Sequence, residues 1–176
     1  MDKIIYLIRH CQATGQSPDA ELTEAGRKQA QDLAEFLRER QVAHFISSPF
    51  TRAIQSIEPA ADQLDLPIEI DDRLAERVLS TEDLPDWMEK LEASFGDADL
   101  KLAGGESGKE ATARAMEVLS EMKDRTAAVT HGNLLGLLLK QIDKSYGFSE
   151  WKKLTNPDVY EVTIKQGMPS VKRIWS

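Results

Sequence analysis

The chain has 176 residues, 41% of them hydrophobic, with 22 lysines and arginines against 30 aspartates and glutamates and a formal net charge of -8. That length closes one sizeable core and points to a single domain over residues 1–176. The acidic balance argues against nucleic acid or a membrane surface as the main partner, since both are held by basic patches.

An anionic small molecule stays open, because screening over about 8 Å lets a local arginine cluster work inside an acidic protein. Only Ile4 to Ile8 form an apolar run before Arg9, shorter than the core of a secretory signal, so the chain is expected to start here and be cytoplasmic. Its single cysteine cannot form an internal disulfide and fits a reducing compartment. The run from Leu134 to Leu139 is broken by Gly136 and ended by Lys140, too short for a membrane span.

Lys3 to Arg9 is a near-continuous β-favouring run, the pattern of a strand buried on both faces. Ala30, Leu33, Ala34 and Leu37 then recur at helical spacing, predicting a helix from Glu24 to about Arg40 with Thr23 as N-cap. Ala43 to Ser47 reads as a second strand. Ser48-Pro49 breaks it before a helix from Thr51 to about Leu64, in which Pro59 predicts a kink or an early end. Pro67 to Ile70 is a short third strand. Arg77 to Gly105, with Pro85 and scattered acids, reads as a surface excursion carrying a short helix around Trp87 to Phe95. Ala111, Ala115, Val118, Leu119 and Met122 predict an amphipathic helix over Ser107 to Arg125. Thr126 to Thr130 is a strand and Gly132 to Gln141 a mostly apolar helix. Val159–Lys165 and Ser170–Trp175 flank the turn signal Gly167-Met168-Pro169 and suggest a closing antiparallel hairpin. Strands alternating with helices argue for an α/β sandwich with a mostly parallel central sheet.

Ligands of such sheets bind at the carboxyl ends of the strands. The first strand ends in Arg9-His10-Cys11, the second runs into Ser47-Ser48-Pro49-Phe50-Thr51-Arg52, and the fourth ends in Thr130-His131-Gly132. Each residue has an ordinary reading alone: a histidine at a strand end is commonly a hydrogen-bonding residue, and an arginine commonly a solvated charge. Two histidines and two arginines on one edge form a combination suited to phosphoryl transfer, which needs a nucleophile, donors for equatorial oxygens and an acid. His44, the third histidine, is assigned to structure.

These motifs resemble the histidine phosphatase superfamily, in the branch that holds the phosphoglycerate mutases and small bacterial phosphatases. The resemblance rests on Arg9-His10-Cys11-Gln12, Leu22-Thr23-Glu24-Ala25-Gly26, Ser47 to Gln55, Leu74-Ala75-Glu76, Gly104-Gly105-Glu106-Ser107 and Thr130-His131-Gly132, in the family's order along most of the chain. It implies a three-layer α/β/α sandwich, phosphoglycerate mutase-like. It also implies a nucleophile at His10, phosphoryl clamps at Arg9, Arg52 and His131, and a proton donor at Glu76. Gln12 and Thr23 would line the substrate side, and the Gly132 N–H would donate at a helix N-terminus. His10 must then be neutral to attack, whereas His131 is most useful protonated.

Two positions depart from the family pattern. Cys11 stands where relatives carry glycine, which invites a rival reading with Cys11 as nucleophile; the phosphate loop of cysteine phosphatases needs an arginine where this chain has Ser17. Arg77-Val78-Leu79-Ser80 replaces the usual continuation after the acid, so Glu106 is the fallback donor, and Glu76 could instead be an exposed carboxylate paired with Arg73 or Arg77. No histidines lie at metal-ligand spacing and Gly104-Gly105 lacks the Walker lysine, so neither metal nor cofactor is expected. A small phosphate ester is the expected partner. Hydrolysis is favoured over mutase chemistry because the loops Gln12–Leu22 and Arg77–Gly105 are short; a phospho-ligand binding module that has lost catalysis is the third reading. Trp87, Phe95 and Trp151 are candidates for a lid or for the core.

Overall fold

The computed structural model describes residues 2–176. Strand β1 (Lys3–Arg9) is the predicted apolar run, with Ile5, Tyr6, Leu7 and Ile8 all buried. Helix α1 (Glu24–Arg38) starts where Thr23 Oγ1 accepts the Gly26 N–H, and it buries the Ala30, Leu33, Ala34, Leu37 stripe. β2 (His44–Ser47) leads into α2 (Thr51–Leu64). Of the kink or early end expected at Pro59, the early end does not occur: the helix runs on to Leu64. The proline removes one backbone hydrogen bond, while Ala53, Ile57, Ala60 and Ala61 keep the buried face docked against the α1 side of the sheet. The helix stops at Asp65, whose left-handed φ of 54 turns its N–H back to Ala61 and Asp62.

β3 (Ile68–Ile70) is a short edge strand, followed by a 3-10 turn over Asp72–Leu74. The segment after it is not the surface excursion that its composition suggested. Its helix α3 (Trp87–Gly96) buries Leu91 and Phe95 in the main core, and Arg77 is only 4% exposed. Arg77 ties the segment down, donating from Nη1 to Ser94 Oγ at 2.8 Å and from Nη2 to the Glu106 carbonyl at 3.1 Å.

Helix α4 (Gly108–Glu121) opens with a capping box between Ser107 and Glu110. It ends four residues before the predicted limit. Asp124 and Arg125 instead bond β1, accepting the Ile4 N–H and donating to the Ile4 carbonyl at 2.7 Å each, which delivers β4 (Thr126–Thr130) beside β1. α5 (Gly132–Ile142) follows, then α6 (Phe148–Lys152), too short to leave a periodic signal. β5 (Asp158–Lys165) and β6 (Met168–Arg173) form the expected hairpin, with the turn one residue earlier than its sequence signal: Gln166 and Gly167 both have positive φ, 53 and 78, and Met168-Pro169 belong to the strand.

The sheet order is β3-β2-β4-β1-β5-β6, with β1 to β4 parallel, β5 antiparallel to β1 and β6 antiparallel to β5. α1 and α2 cover one face over Tyr6, Ile8, Phe45 and Val129; α3, α4 and α5 cover the other over Ile5, Leu7, Ile46 and Ala128. The result is the expected three-layer sandwich. Arg9 lies opposite Thr130, and Ser47 opposite Val129, so β2, β4 and β1 end side by side at one edge. Among the described residues no helix is long and apolar enough to cross a membrane.

Candidate active site

His10 follows β1 and is 9% exposed. Its Nδ1 lies 2.6 Å from the Cys11 carbonyl, an oxygen that can only accept, so Nδ1 carries the proton. The lone pair is thereby placed on Nε2, which accepts from Arg52 Nε at 3.3 Å. Burial, with the charges of Arg52 and Arg9 acting the same way against the Cys11 bond, lowers the imidazole pKa to about 4. At neutral pH His10 is an uncharged base with a fixed tautomer.

Arg52 is 2% exposed and is braced at Nη1 by the Gln16 and Ser17 carbonyls, at 3.2 and 2.8 Å. Arg9 donates from Nη1 to the Leu154 carbonyl at 3.2 Å, while its buried Nε has no protein partner. The Arg9 guanidinium lies against Gly132, where a Cβ would come within 3.0 Å of Cζ, Nε and Nη2. Two guanidiniums and the N-terminus of α5 thus border the His10 ring, a setting that favours a phosphoryl anion.

His131 is fully buried, its ring centroid 5.1 Å from that of His10 and 4.8 Å from Phe50. Nε2 pairs with Ser48 Oγ at 2.8 Å, and Nδ1 is buried without a partner. The surroundings of His131 oppose the protonated state expected from the resemblance. Burial first, then His10, Arg52 and Arg9, push its pKa down to about 2. An arriving dianion reverses the electrostatic part of that shift.

Glu76 is not the exposed ion-pair carboxylate of the alternative reading. Its Oε1 accepts the N–H groups of Arg77 and Leu134 at 2.8 Å each, and Oε2 accepts that of Asn133 at 3.0 Å, which docks the carboxyl on the first turn of α5. Arg73 is engaged elsewhere, with Asp71, Glu117 and Glu121. Burial outweighs the three donors and the Arg9 charge, and holds the Glu76 pKa above the ordinary carboxylic range. Glu106 behaves oppositely. Arg114 grips both its oxygens, at 2.8 and 2.9 Å, and keeps it ionised, so the fallback donor is an anchor. The same Arg114 donates to the Arg73 and Ala75 carbonyls, steadying the turn that carries Glu76.

A cavity of about 480 Å³ opens against Arg9, Glu76, Gly132 and Asn133. Its outer wall is Gln16, Leu79, Trp87, Leu91 and Trp151; Phe95 is in the core instead. His10, Arg52 and His131 lie outside this lining, Arg52 being joined to it through the Gln16 carbonyl. Gln12 and Thr23, expected on the substrate side, do not line the cavity. Thr23 Oγ1 caps α1 and donates to Gln12 Oε1 at 2.9 Å, so the two side chains serve each other. The sequence reading missed Gln16, Leu79, Leu91 and Asn133. Asn133, 9% exposed with Oδ1 unpartnered, had one available signal, its place beside Gly132 at a helix start.

Cys11 is fully buried among Ile8, Leu22, Ala53 and Ile57, in the core on the α1 and α2 side, and its N–H donates to Ser56 Oγ at 2.8 Å. Burial raises the thiol pKa to about 12. A neutral core thiol is not a nucleophile, which removes the rival reading. The backbone at Cys11 does not enter the left-handed region, so glycine is not required there.

A buried imidazole with a directed lone pair, set among arginines at the carboxyl edge of a parallel sheet, is an arrangement suited to an α/β enzyme of phosphoryl transfer. Within that class the chain belongs to the histidine phosphatase superfamily (branch 1), whose model matches residues 5–176. A probable phosphoglycerate mutase GpmB from Shigella dysenteriae is 30% identical over 191 residues, covering 93% of this chain and 86% of that protein. Among solved structures, a mycobacterial glucosyl-3-phosphoglycerate phosphatase superimposes with a TM-score of 0.79 at 23% identity over 99% of each chain. A phosphoserine phosphatase variant from Entamoeba histolytica, in complex with phosphoserine, gives 0.76 at 19% identity over 97% of this chain and 95% of that one. These superpositions define the fold.

Proposed function

We propose that the chain is a cytoplasmic, single-domain, metal-independent phosphomonoesterase of the acid phosphatase type, acting through a phosphohistidine on His10. The supporting observation is the His10 tautomer: Nδ1 held by the Cys11 carbonyl, Nε2 unprotonated beside the Arg52 guanidinium. The Nε2 lone pair attacks phosphorus, forming a P–N bond as the ester P–O bond breaks. Glu76, whose pKa burial raises, gives a proton to the departing oxygen. It then takes a proton from water, whose oxygen attacks phosphorus and breaks the P–N bond, releasing phosphate and neutral His10. Arg9 and Arg52 supply the positive charge, and His131 and the Gly132 N–H complete the donors, a role that in other phosphatases falls to a metal. A His10 pKa of about 4 keeps the nucleophile competent in mild acid. Hydrolysis is preferred to mutase transfer because the cavity mouth is open, with Trp87 48% exposed, and admits water.

Rapid quench after brief exposure to substrate tests this directly. An acid-labile, base-stable phosphoryl group on His10 is expected, absent from His10→Ala, with turnover unaffected by a chelator. Full activity of His10→Ala would overturn the mechanism, and loss with chelator restored by a divalent ion would overturn metal independence.

A further inference from the structure

We infer that the site selects phosphomonoesters whose leaving group is apolar, flat and uncharged, and discriminates against esters that carry a second anionic group such as phosphoglycerates. The inference rests on the phosphatase reading above and extends it to substrate class. If Glu76 protonates the leaving oxygen, the leaving group begins beside Glu76, and Glu76 lines the cavity of about 480 Å³. The carbon skeleton attached to that oxygen therefore meets Leu79, Trp87, Leu91 and Trp151.

The two tryptophans arrive from separate elements, α3 and α6, and both line the cavity, Trp151 with its other side packed on the core. Trp151 stacks on Phe148, with centroids 5.5 Å apart at an interplanar angle of 23°, and sits over Gly136, where a Cβ would come within 3.1 Å. Trp87 lines both the cavity and the groove beside it and is 48% exposed, a large apolar side chain left open at the mouth. An aromatic or similarly flat group covers such surface and stacks on indole.

Charge points the same way. Arg9 is the only basic residue lining the cavity among the described residues, and it is committed to the phosphoryl end. The adjoining groove beyond Leu79 and Trp87 is bordered by exposed Glu82 and Asp83. A carboxylate or second phosphate on the leaving group would meet these acids with no cation to answer it.

The experiment compares esters whose leaving groups are all alkoxides, so that chemistry is matched and recognition varies. The probes are 2-phenylethyl phosphate, glycerol 3-phosphate and 3-phosphoglycerate. For the wild type, kcat/KM is expected to be at least tenfold higher for 2-phenylethyl phosphate than for glycerol 3-phosphate, and about a hundredfold higher than for 3-phosphoglycerate, the scale one apolar contact and one unanswered charge supply. Trp87→Ala should lower the phenylethyl-to-glycerol ratio about tenfold. Replacing Glu82 and Asp83 by lysine should raise the relative efficiency with 3-phosphoglycerate. Equal or greater efficiency with 3-phosphoglycerate, or an unchanged ratio in Trp87→Ala, would overturn the inference. Absence of turnover with every ester would instead sink the phosphatase reading. The inference is then decided by tryptophan fluorescence titration with 2-phenylethylphosphonate against phosphonoacetate: tenfold tighter binding of the former upholds it, and equal binding overturns it.

Discussion

At Glu76 two effects oppose one another. Three backbone donors, two of them at the start of α5, stabilise the carboxylate, while burial stabilises the acid and prevails. A phosphoryl dianion brought close to the carboxyl strengthens the same bias, since like charges disfavour ionisation. General acid help is worth typically 10²- to 10⁴-fold, about 3 to 5 kcal/mol, and its value depends on how badly the leaving oxygen needs a proton. An alkoxide needs it; a nitrophenolate is stable near neutral pH without it. Glu76→Gln is therefore expected to slow phosphohistidine formation from an alkyl phosphate by about 100-fold or more in a single turnover, and to spare 4-nitrophenyl phosphate to within about tenfold. Equal losses would show that Glu76 is not the leaving-group acid. Glu106 is the weaker candidate, because the Arg114 grip lowers its pKa.

Helix α5 is the element on which the site depends most. Its first turn holds the Glu76 carboxyl through Asn133 and Leu134, and its first residue, Gly132, gives the Arg9 guanidinium a flat surface to rest on. An alanine is well tolerated at a helix start and gains helix propensity. Its Cβ, however, would sit 3.0 Å from three guanidinium atoms, and Arg9 is the flexible partner that must yield. Gly132→Ala should thus melt within about 2 °C of the wild type, a shift of at most about 0.5 to 1 kcal/mol, while kcat/KM falls about tenfold or more as Arg9 leaves its place. Thermal denaturation and phosphate-release kinetics on the same preparation check both halves. Wild-type kinetics in this variant would remove Arg9 from the clamp.

Across the whole molecule, burying two neutral histidines links folding to pH. Their pKa values fall from about 6.5 in an unfolded chain to about 4 at His10 and about 2 at His131. Between those limits the unfolded state binds more protons, so stability is lost as pH falls below 6.5, at up to about 1.4 kcal/mol per pH unit for each histidine. Glu76 acts in the opposite sense: with a raised pKa its contribution is present in acid and lost as pH rises. A difference measurement removes that overlap. Urea unfolding at pH 6.5 and 4.5 should give a shallower loss of stability for His131→Gln than for the wild type, by about 1 kcal/mol per pH unit or less; parallel slopes would mean that His131 is already charged in the folded protein.

The amino-acid sequence by itself determined the elements and their order, because those follow from local periodicity: the apolar run of β1, the 3.6-residue stripe of α1, the Thr23 cap, the hairpin flanking Gly167. It also placed His10 and His131 at strand ends and Arg52 at the start of the helix that follows β2, since motif position along the chain is a one-dimensional property. Tertiary structure alone decided what those residues experience. Cys11 and His10 are neighbours in the chain, yet one faces the α1 and α2 core and the other borders the arginines. Glu76 and Glu106 are both plausible acids by sequence, and only their surroundings separate them, burial against a helix N-terminus for one and the Arg114 fork for the other. Leu91 and Phe95 sit in an acidic, proline-broken stretch that reads as surface, and their burial is set by α4 and α5 arriving from later in the chain. Charge state, burial and direction are sums over neighbours distant in sequence, and such sums are fixed only when the layers close.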